Sequence, residues 1–166
     1  MAHSMGIEER ASKIKLLLTD CDGVLTDGRL YFSGDGEALK VFNVRDGQGI
    51  VAWHKAGFRS GIISGRNSPI LERRARELGI EFVRQGEQDK ITAFNEIIAA
   101  AMVSADAVAY IGDDTPDIPI LQLAGLAVAV GDAPDPVKTV AHYVTRLTGG
   151  LGAVREVIDL LLGSNA

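Results

Sequence analysis

The 166-residue chain has one cysteine, Cys21. A single thiol can form neither an intramolecular disulfide nor a cysteine cage for zinc, and such sparing use fits a reducing, cytoplasmic setting. Basic runs are missing as well: 17 Lys and Arg face 22 Asp and Glu, for a formal charge of -5. Without clustered cations nothing replaces the counterions of a polyanion, so nucleic acid is excluded as an expected partner. Long apolar stretches are also absent. Runs such as Leu16-Leu17-Leu18 and residues 126–130 fall far below the roughly 20 residues of a membrane-spanning helix, so no membrane partner is expected. The opening Met1-Ala2-His3-Ser4-Met5 has neither the basic start nor the apolar stretch of a signal peptide. It reads as a tag remnant before a second start, and residues 1–12 are expected to be such a remnant or a disordered leader. No internal repeat, low-complexity tract or linker divides residues 13–163, which are expected to form a single domain.

What is present is an apolar content of 46% with 23% charge, enough for a real core. Lys15 to Thr19 is a short apolar run that ends in acidic residues and glycine, the pattern of a buried parallel strand opening into a loop. Similar runs recur at Ser60–Ile63, Glu81–Val83, Val108–Ile111 and Leu126–Val130. Helical spacing fills the intervals at Gly49–Ala56, Pro69–Leu78, Lys90–Ala101 and Ile118–Leu123, with a last helix from about Ala153 to Leu162. This alternation predicts an α/β fold: a doubly wound, mainly parallel, Rossmann-like sheet with helices on both faces. One segment breaks the rhythm. Arg29–Phe32 and Leu39–Val44 are strand-like and flank Ser33-Gly34-Asp35-Gly36, so a projecting β-hairpin is expected over about residues 28–44. Its aromatic residues, with Phe42, alternate with polar positions and read as an interface or core edge.

In an open parallel sheet, ligands bind beyond the carboxyl ends of the strands. Four clusters fall there: Asp20-Cys21-Asp22-Gly23-Val24, Ser64-Gly65-Arg66, Lys90, and Gly112-Asp113-Asp114 with Asp117. Carboxylates from two loops repel unless a cation lies between them, and a hard, oxygen-only site with few protein ligands suits Mg²⁺. Asp20 and Asp113 are the expected metal ligands, with Asp22 adding its backbone carbonyl. Asp20, on the strand end, is the expected nucleophile toward phosphorus. Asp22, two residues on, can protonate a leaving alkoxide and later deprotonate water. Ser64, Lys90 and loop N–H groups can hold the transferring oxygens.

Each cluster alone has an ordinary reading. Asp-x-Asp-Gly is usually a turn or cap, Ser64 a helix cap, Lys90 a solvated helix face, and Asp113-Asp114-Thr115-Pro116 a helix start. The catalytic reading rests on all four in this order, each after a strand or at a helix start. Cys21 reads as small filler, and His54 and His142 as surface or helix residues. Whether Asp114 and Asp117 orient metal-bound water or only cap a helix stays open.

These residues resemble the four motifs of the haloacid dehalogenase superfamily of phosphatases, over Lys15 to about Val144. Phe42-Asn43-Val44-Arg45-Asp46-Gly47, Gln85-Gly86, Tyr143-Val144-Thr145 and Gly152-Ala153-Val154-Arg155-Glu156 further resemble the octulosonate 8-phosphate phosphatases within it. The intervals from Asp20 to Ser64 and from Ser64 to Lys90 leave no room for the lid many relatives insert, so a capless enzyme is implied. The resemblance implies a phosphorylated sugar acid as substrate and Mg²⁺ as cofactor. It also implies a homotetramer whose hairpins pack together so that a neighbouring chain covers each site. It makes Asn43, Val44, Arg45, Asp46 and Gly47 substrate-pocket residues, together with Asp22, Arg66, Arg74 and Lys90. Two positions depart from the pattern: Val51 stands where some relatives carry a basic residue, and Leu151 where the Gly-Gly-x-Gly turn often has arginine. The chain also ends soon after Leu162, without the long tail that would reach a neighbour's site. Competing readings are a nonulosonate 9-phosphate phosphatase, a phospho-accepting signalling domain, and an idle oligomerisation domain. Arg66 disfavours the first, the order of the acidic residues the second, and the intact motifs the third.

Overall fold

Three short apolar runs, Leu16–Thr19 (β1), Val108–Gly112 (β6) and Leu126–Ala129 (β7), are buried along their whole length. Strands covered on both faces read as unbroken apolar runs, because neither pleat meets water. In the computed structural model, which describes residues 5–165, these strands form the centre of a six-stranded sheet. Arg59–Ile63 (β4), Phe82–Arg84 (β5) and Tyr143–Val144 (β8) complete it, in the order β5-β4-β1-β6-β7-β8, and every pairing is parallel. Asp20 and Gly112 therefore finish neighbouring strands at the same end of the sheet.

Helices cover both faces. Val44–Lys55 (α2) packs against Pro69–Leu78 (α3) and Ala153–Ser164 (α7), and Lys90–Ala101 (α4) packs against Ile118–Leu121 (α5). Local chemistry explains their starts. Asn43, Ser68 and Asp89 each accept a backbone N–H of the following helix, satisfying donors that have no partner within the helix. Pro69 at the first position of α3 and left-handed Gly79 after its end give the sharp boundaries that made this helix legible. Under α2, Trp53 is fully buried, stacks on Phe58 at 4.1 Å between ring centroids and donates Nε1–H to the Arg59 carbonyl at 2.8 Å.

Several boundaries differ from the sequence reading. The hairpin strands are Tyr31–Ser33 (β2) and Gly36–Leu39 (β3), an isolated antiparallel pair, and no strand runs on to Val44. Instead α2 begins at Val44, five residues before the expected Gly49. Gly47 and Gly49 lower helix propensity in its first turns, but both are needed for close packing. A Cβ at Gly47 would overlap the Arg74 guanidinium, and one at Gly49 would press on Arg155 of α7. Residues 7–12 are not a disordered leader: Ile7–Ser12 (α1) is a helix with Ala11 fully buried, packed on α7, and Arg10 donates to the Gly125 carbonyl at 2.8 Å. The expected tag remnant at residues 1–4 lies outside the described residues. Asp135–Val140 (α6) and β8 complete the elements the periodicity left unassigned.

Candidate active site

The loop after β1 is folded tightly on itself. The Cys21 carbonyl accepts the N–H groups of Val24, Leu25 and Thr26 at 3.1, 2.9 and 3.3 Å. Gly23 adopts φ +89°, and a Cβ there would overlap the Asp113 carboxylate. Glycine is thus required twice at this position, by backbone conformation and by the approach of the second acidic loop. Cys21 points into the core, and burial pushes its thiol far above the usual range, as filler should behave.

The four sequence clusters converge on one cavity of about 490 Å³, lined among others by Asp20, Asp22, Ser64, Arg66, Lys90, Asp113 and Asp114. Carboxylate oxygens of Asp20, Asp113 and Asp117 lie within 4.8 Å of one another. Asp117 is committed to the protein. Its Oδ1 accepts from Lys90 Nζ at 2.8 Å and the Tyr110 hydroxyl at 2.7 Å, and its Oδ2 accepts the N–H groups of Asp113 and Asp114 at 3.0 and 3.4 Å. Four donors leave it little capacity for a cation, so it holds Lys90 and the Asp113 loop in place. Asp114 caps the short turn Thr115–Asp117 through the Thr115 N–H at 2.7 Å.

Asp20 and Asp113 are different. Asp20 Oδ1 accepts from the Cys21 N–H at 2.7 Å and lies 3.3 Å from Lys90 Nζ. Asp113 Oδ1 is buried without a partner. Burial, then the charge of Asp117, outweighs Lys90 and pushes the Asp20 carboxyl up to about 6. Burial, then the charge of Asp20, pushes Asp113 up to about 9. Two carboxylates that cannot both ionise beside each other, one carrying an orphaned oxygen, form a donor set suited to a hard divalent cation. The residues present fit Mg²⁺: Asp20 and Asp113 would hold it by their carboxylates, and Asp22 by its backbone carbonyl.

Ser64 is buried at the end of β4, and its hydroxyl accepts the Arg66 N–H at 3.3 Å, which leaves its own proton free to donate. Arg66 also lines the cavity, with its guanidinium 5.5 Å from the centre of the Phe32 ring on the hairpin. Asp22 meets a residue that sequence reading missed. Lys40, just after β3, donates to Asp22 Oδ1 at 2.6 Å and lies 2.8 Å from Glu37 Oε1, with its side chain 3% exposed. Burial opposes the Lys40 charge, but its two carboxylate partners hold its pKa above the ordinary value. Tyr110 was also missed. Nothing in the spacing of either residue marked it, since Lys40 falls within a stretch read only as a hairpin strand and Tyr110 within an apolar strand run.

The remaining expected pocket residues are not brought to this cavity within one chain. Asn43, Val44 and Arg45 line a separate cavity of about 980 Å³ with Tyr143, Leu151 and Arg155. Asn43 caps α2 through the Arg45 N–H at 2.8 Å. The Asp46 carboxyl is buried and accepts the Arg155 N–H at 2.9 Å, and Gly47 packs on Arg74, whose guanidinium sits 5.7 Å from the centre of the Phe42 ring. His54 bonds Ser60 Oγ at 2.7 Å and His142 Nδ1 accepts the Ala127 N–H at 2.9 Å, structural contacts away from the acids.

Comparison with known proteins agrees with this geometry. A family model described as haloacid dehalogenase-like hydrolase matches residues 74–158. The chain is 49% identical over 154 residues to the 3-deoxy-D-manno-octulosonate 8-phosphate phosphatase of Yersinia pestis, covering 93% of this chain and 82% of that protein. The crystal structure of a Yersinia pestis phosphatase of this name superposes with a TM-score of 0.94 at 47% identity, over 96% of this chain and 86% of the other. A Moraxella catarrhalis phosphatase of the same name, solved with a magnesium ion, a phosphate ion and a Kdo molecule, gives a TM-score of 0.93 at 40% identity over 98% and 93% of the two chains. With the acidic loops, serine and lysine assembled on a capless parallel sheet, the chain belongs to the 3-deoxy-D-manno-octulosonate 8-phosphate phosphatases of the haloacid dehalogenase-like hydrolases.

Proposed function

We propose that this protein is a Mg²⁺-dependent phosphomonoesterase that hydrolyses 3-deoxy-D-manno-octulosonate 8-phosphate through an aspartyl phosphate on Asp20. The observation that carries the reading is the meeting of Asp20, 3.3 Å from Lys90, with the partnerless Asp113 oxygen in one cavity that also contains Asp22 and Ser64. Asp20 attacks phosphorus in line with the ester oxygen. Asp22 donates a proton to the departing sugar alkoxide, then takes one from the water that hydrolyses the aspartyl phosphate. Lys90 and the Ser64 hydroxyl hold the phosphoryl oxygens as charge builds on them. A bound Mg²⁺ supplies charge neutralisation between Asp20, Asp113 and the phosphoryl group. Arg66 suits the sugar-acid carboxylate, because its planar fork can bond both oxygens.

The open site needs covering to exclude water, and we assign that cover to neighbouring chains of a homotetramer joined through the hairpins. Exposed Leu30, Phe32, Leu39 and Val41 support this, since they leave an apolar hairpin surface about half open to solvent. In such an assembly Asn43, Val44, Arg45, Asp46 and Gly47, with Arg74, serve the substrate pocket from beside a neighbour's site. A cytoplasmic location fits the lone buried thiol of Cys21, and no helix among the described residues is long and apolar enough to cross a membrane. The test is phosphate release from a panel of sugar-acid and common metabolite phosphates, with Mg²⁺ and with chelator. Mg²⁺-dependent preference for the octulosonate ester is expected. Preference for a nonulosonate 9-phosphate overturns the substrate assignment, and no release from any ester overturns the reading.

A further inference from the structure

We infer that Lys40, braced by Glu37, is a positioning residue that fixes the rotamer of Asp22 and decides which of its oxygens faces the substrate. The inference rests on the phosphatase reading above and adds a residue to it. An aspartate at the mouth of a cavity turns freely about two torsions unless something holds it. The Asp22 side chain is 19% exposed and receives no bond from Lys90, which is engaged by Asp20 and Asp117. Its one cationic partner among the described residues is Lys40, at 2.6 Å from Oδ1. No donor of the described residues reaches Oδ2, so the contact leaves one oxygen unpaired on a side chain that lines the cavity.

Lys40 is itself held. Its ammonium spans Asp22 and Glu37 at 2.6 and 2.8 Å, and the other Glu37 oxygen accepts the Ser68 hydroxyl. Ser68 is buried, caps α3 through the Leu71 N–H and donates its own N–H to Gln85 Oε1 at 2.8 Å. A chain of charge-assisted bonds therefore runs from the rigid start of α3 through Glu37 and Lys40 to Asp22. Glu37 matters because a lysine with one partner would follow any incoming phosphate or carboxylate. Held between two acids, it stays on Asp22. The hairpin thus carries part of the site of its own chain, beyond any role as an interface.

The test exploits leaving-group chemistry. Expulsion of a sugar alkoxide needs the proton from Asp22, whereas 4-nitrophenolate leaves without it, and kcat/KM reports the steps through loss of the leaving group. Lys40→Met is expected to lower kcat/KM for the sugar-acid phosphate by about 10²-fold and for 4-nitrophenyl phosphate by less than about fivefold. Glu37→Gln, which keeps the side-chain shape, is expected to show the same selectivity with a smaller loss, and it serves if Lys40→Met fails to fold. Adding Lys40→Met to Asp22→Asn is expected to cost nothing further on the sugar phosphate. Equal losses on both esters, no loss in either variant, or additive losses in the double variant overturn the inference while the wild-type enzyme stays active. A wild-type protein that releases phosphate from neither ester overturns the phosphatase reading and this inference with it.

Discussion

Lys90 and Lys40 each pair with an acid of one cavity, Asp20 and Asp22, but the molecule holds them differently. Lys90 is the first residue of α4, and its partners Asp20 and Asp117 come from the end of β1 and the turn after β6. Lys40 follows a two-stranded hairpin that pairs with no other strand. The first side of the site is built on the rigid end of a buried sheet. The second rests on an ion-pair chain to Ser68, and its outer surface carries exposed apolar side chains. In the proposed mechanism the group that makes and breaks the bond to phosphorus, Asp20, sits on the stiff side, and the group that moves protons, Asp22, is held from the extension.

The largest expected effects lie on the sheet side. Asp20→Asn removes the proposed nucleophile and is expected to lower kcat by roughly 10⁴-fold or more, with an unchanged circular dichroism spectrum. Asp22→Asn is expected to lower it by about 10²- to 10⁴-fold, the range of one general acid–base group. Normal phosphate release by either variant would remove that residue from the mechanism.

Metal removal is the next largest. The folded, metal-free protein holds Asp20 up to about 6 and Asp113 up to about 9, above the value of about 4 for an unfolded aspartate. Through that window the folded state keeps protons that the unfolded chain has released, so its stability falls as pH rises. Mg²⁺ binds the ionised carboxylates and offsets this loss. Thermal melting should therefore show a larger gain in Tm on adding Mg²⁺ at about pH 8 than at about pH 5. An equal gain at both values would place the cation elsewhere.

Tyr110→Phe sharpens the comparison. It removes one of the donors that hold Asp117 against Lys90, with an expected loss of about 1–2 kcal/mol in unfolding free energy, read by denaturant titration. The smallest effect on the chain itself is expected on the hairpin face. Phe32 is 58% exposed, so Phe32→Ser should change monomer stability by less than about 0.5 kcal/mol while shifting the proposed tetramer toward smaller species in analytical ultracentrifugation. A tetramer of unchanged stability would move the interface away from the hairpin.

Much of the fold was legible because local and global signals agreed. The unbroken apolar runs of β1, β6 and β7 could satisfy burial only as strands covered on both faces, and α3 carried both its cap and its stop. The start of α2 was not legible, because its glycines answer to Arg74 and Arg155, far along the chain. The helix α1 was hidden for a similar reason: six residues have little helical tendency of their own and are ordered by packing against α7.

That the acids, Ser64 and Lys90 meet in one cavity was readable from residue type and order, since a strand end dictates which way the next loop faces. By itself the sequence determined the parallel α/β architecture, the absence of a lid and the identity of the acids at the sheet's carboxyl end. Tertiary structure alone decided that Asp117 belongs to Lys90 and Tyr110, that Asp113 keeps an unpartnered oxygen, and that Lys40 reaches Asp22 from the hairpin. Periodicity and propensity act over a few residues, whereas the partner of a buried charge is set by whichever distant side chain the fold carries into reach.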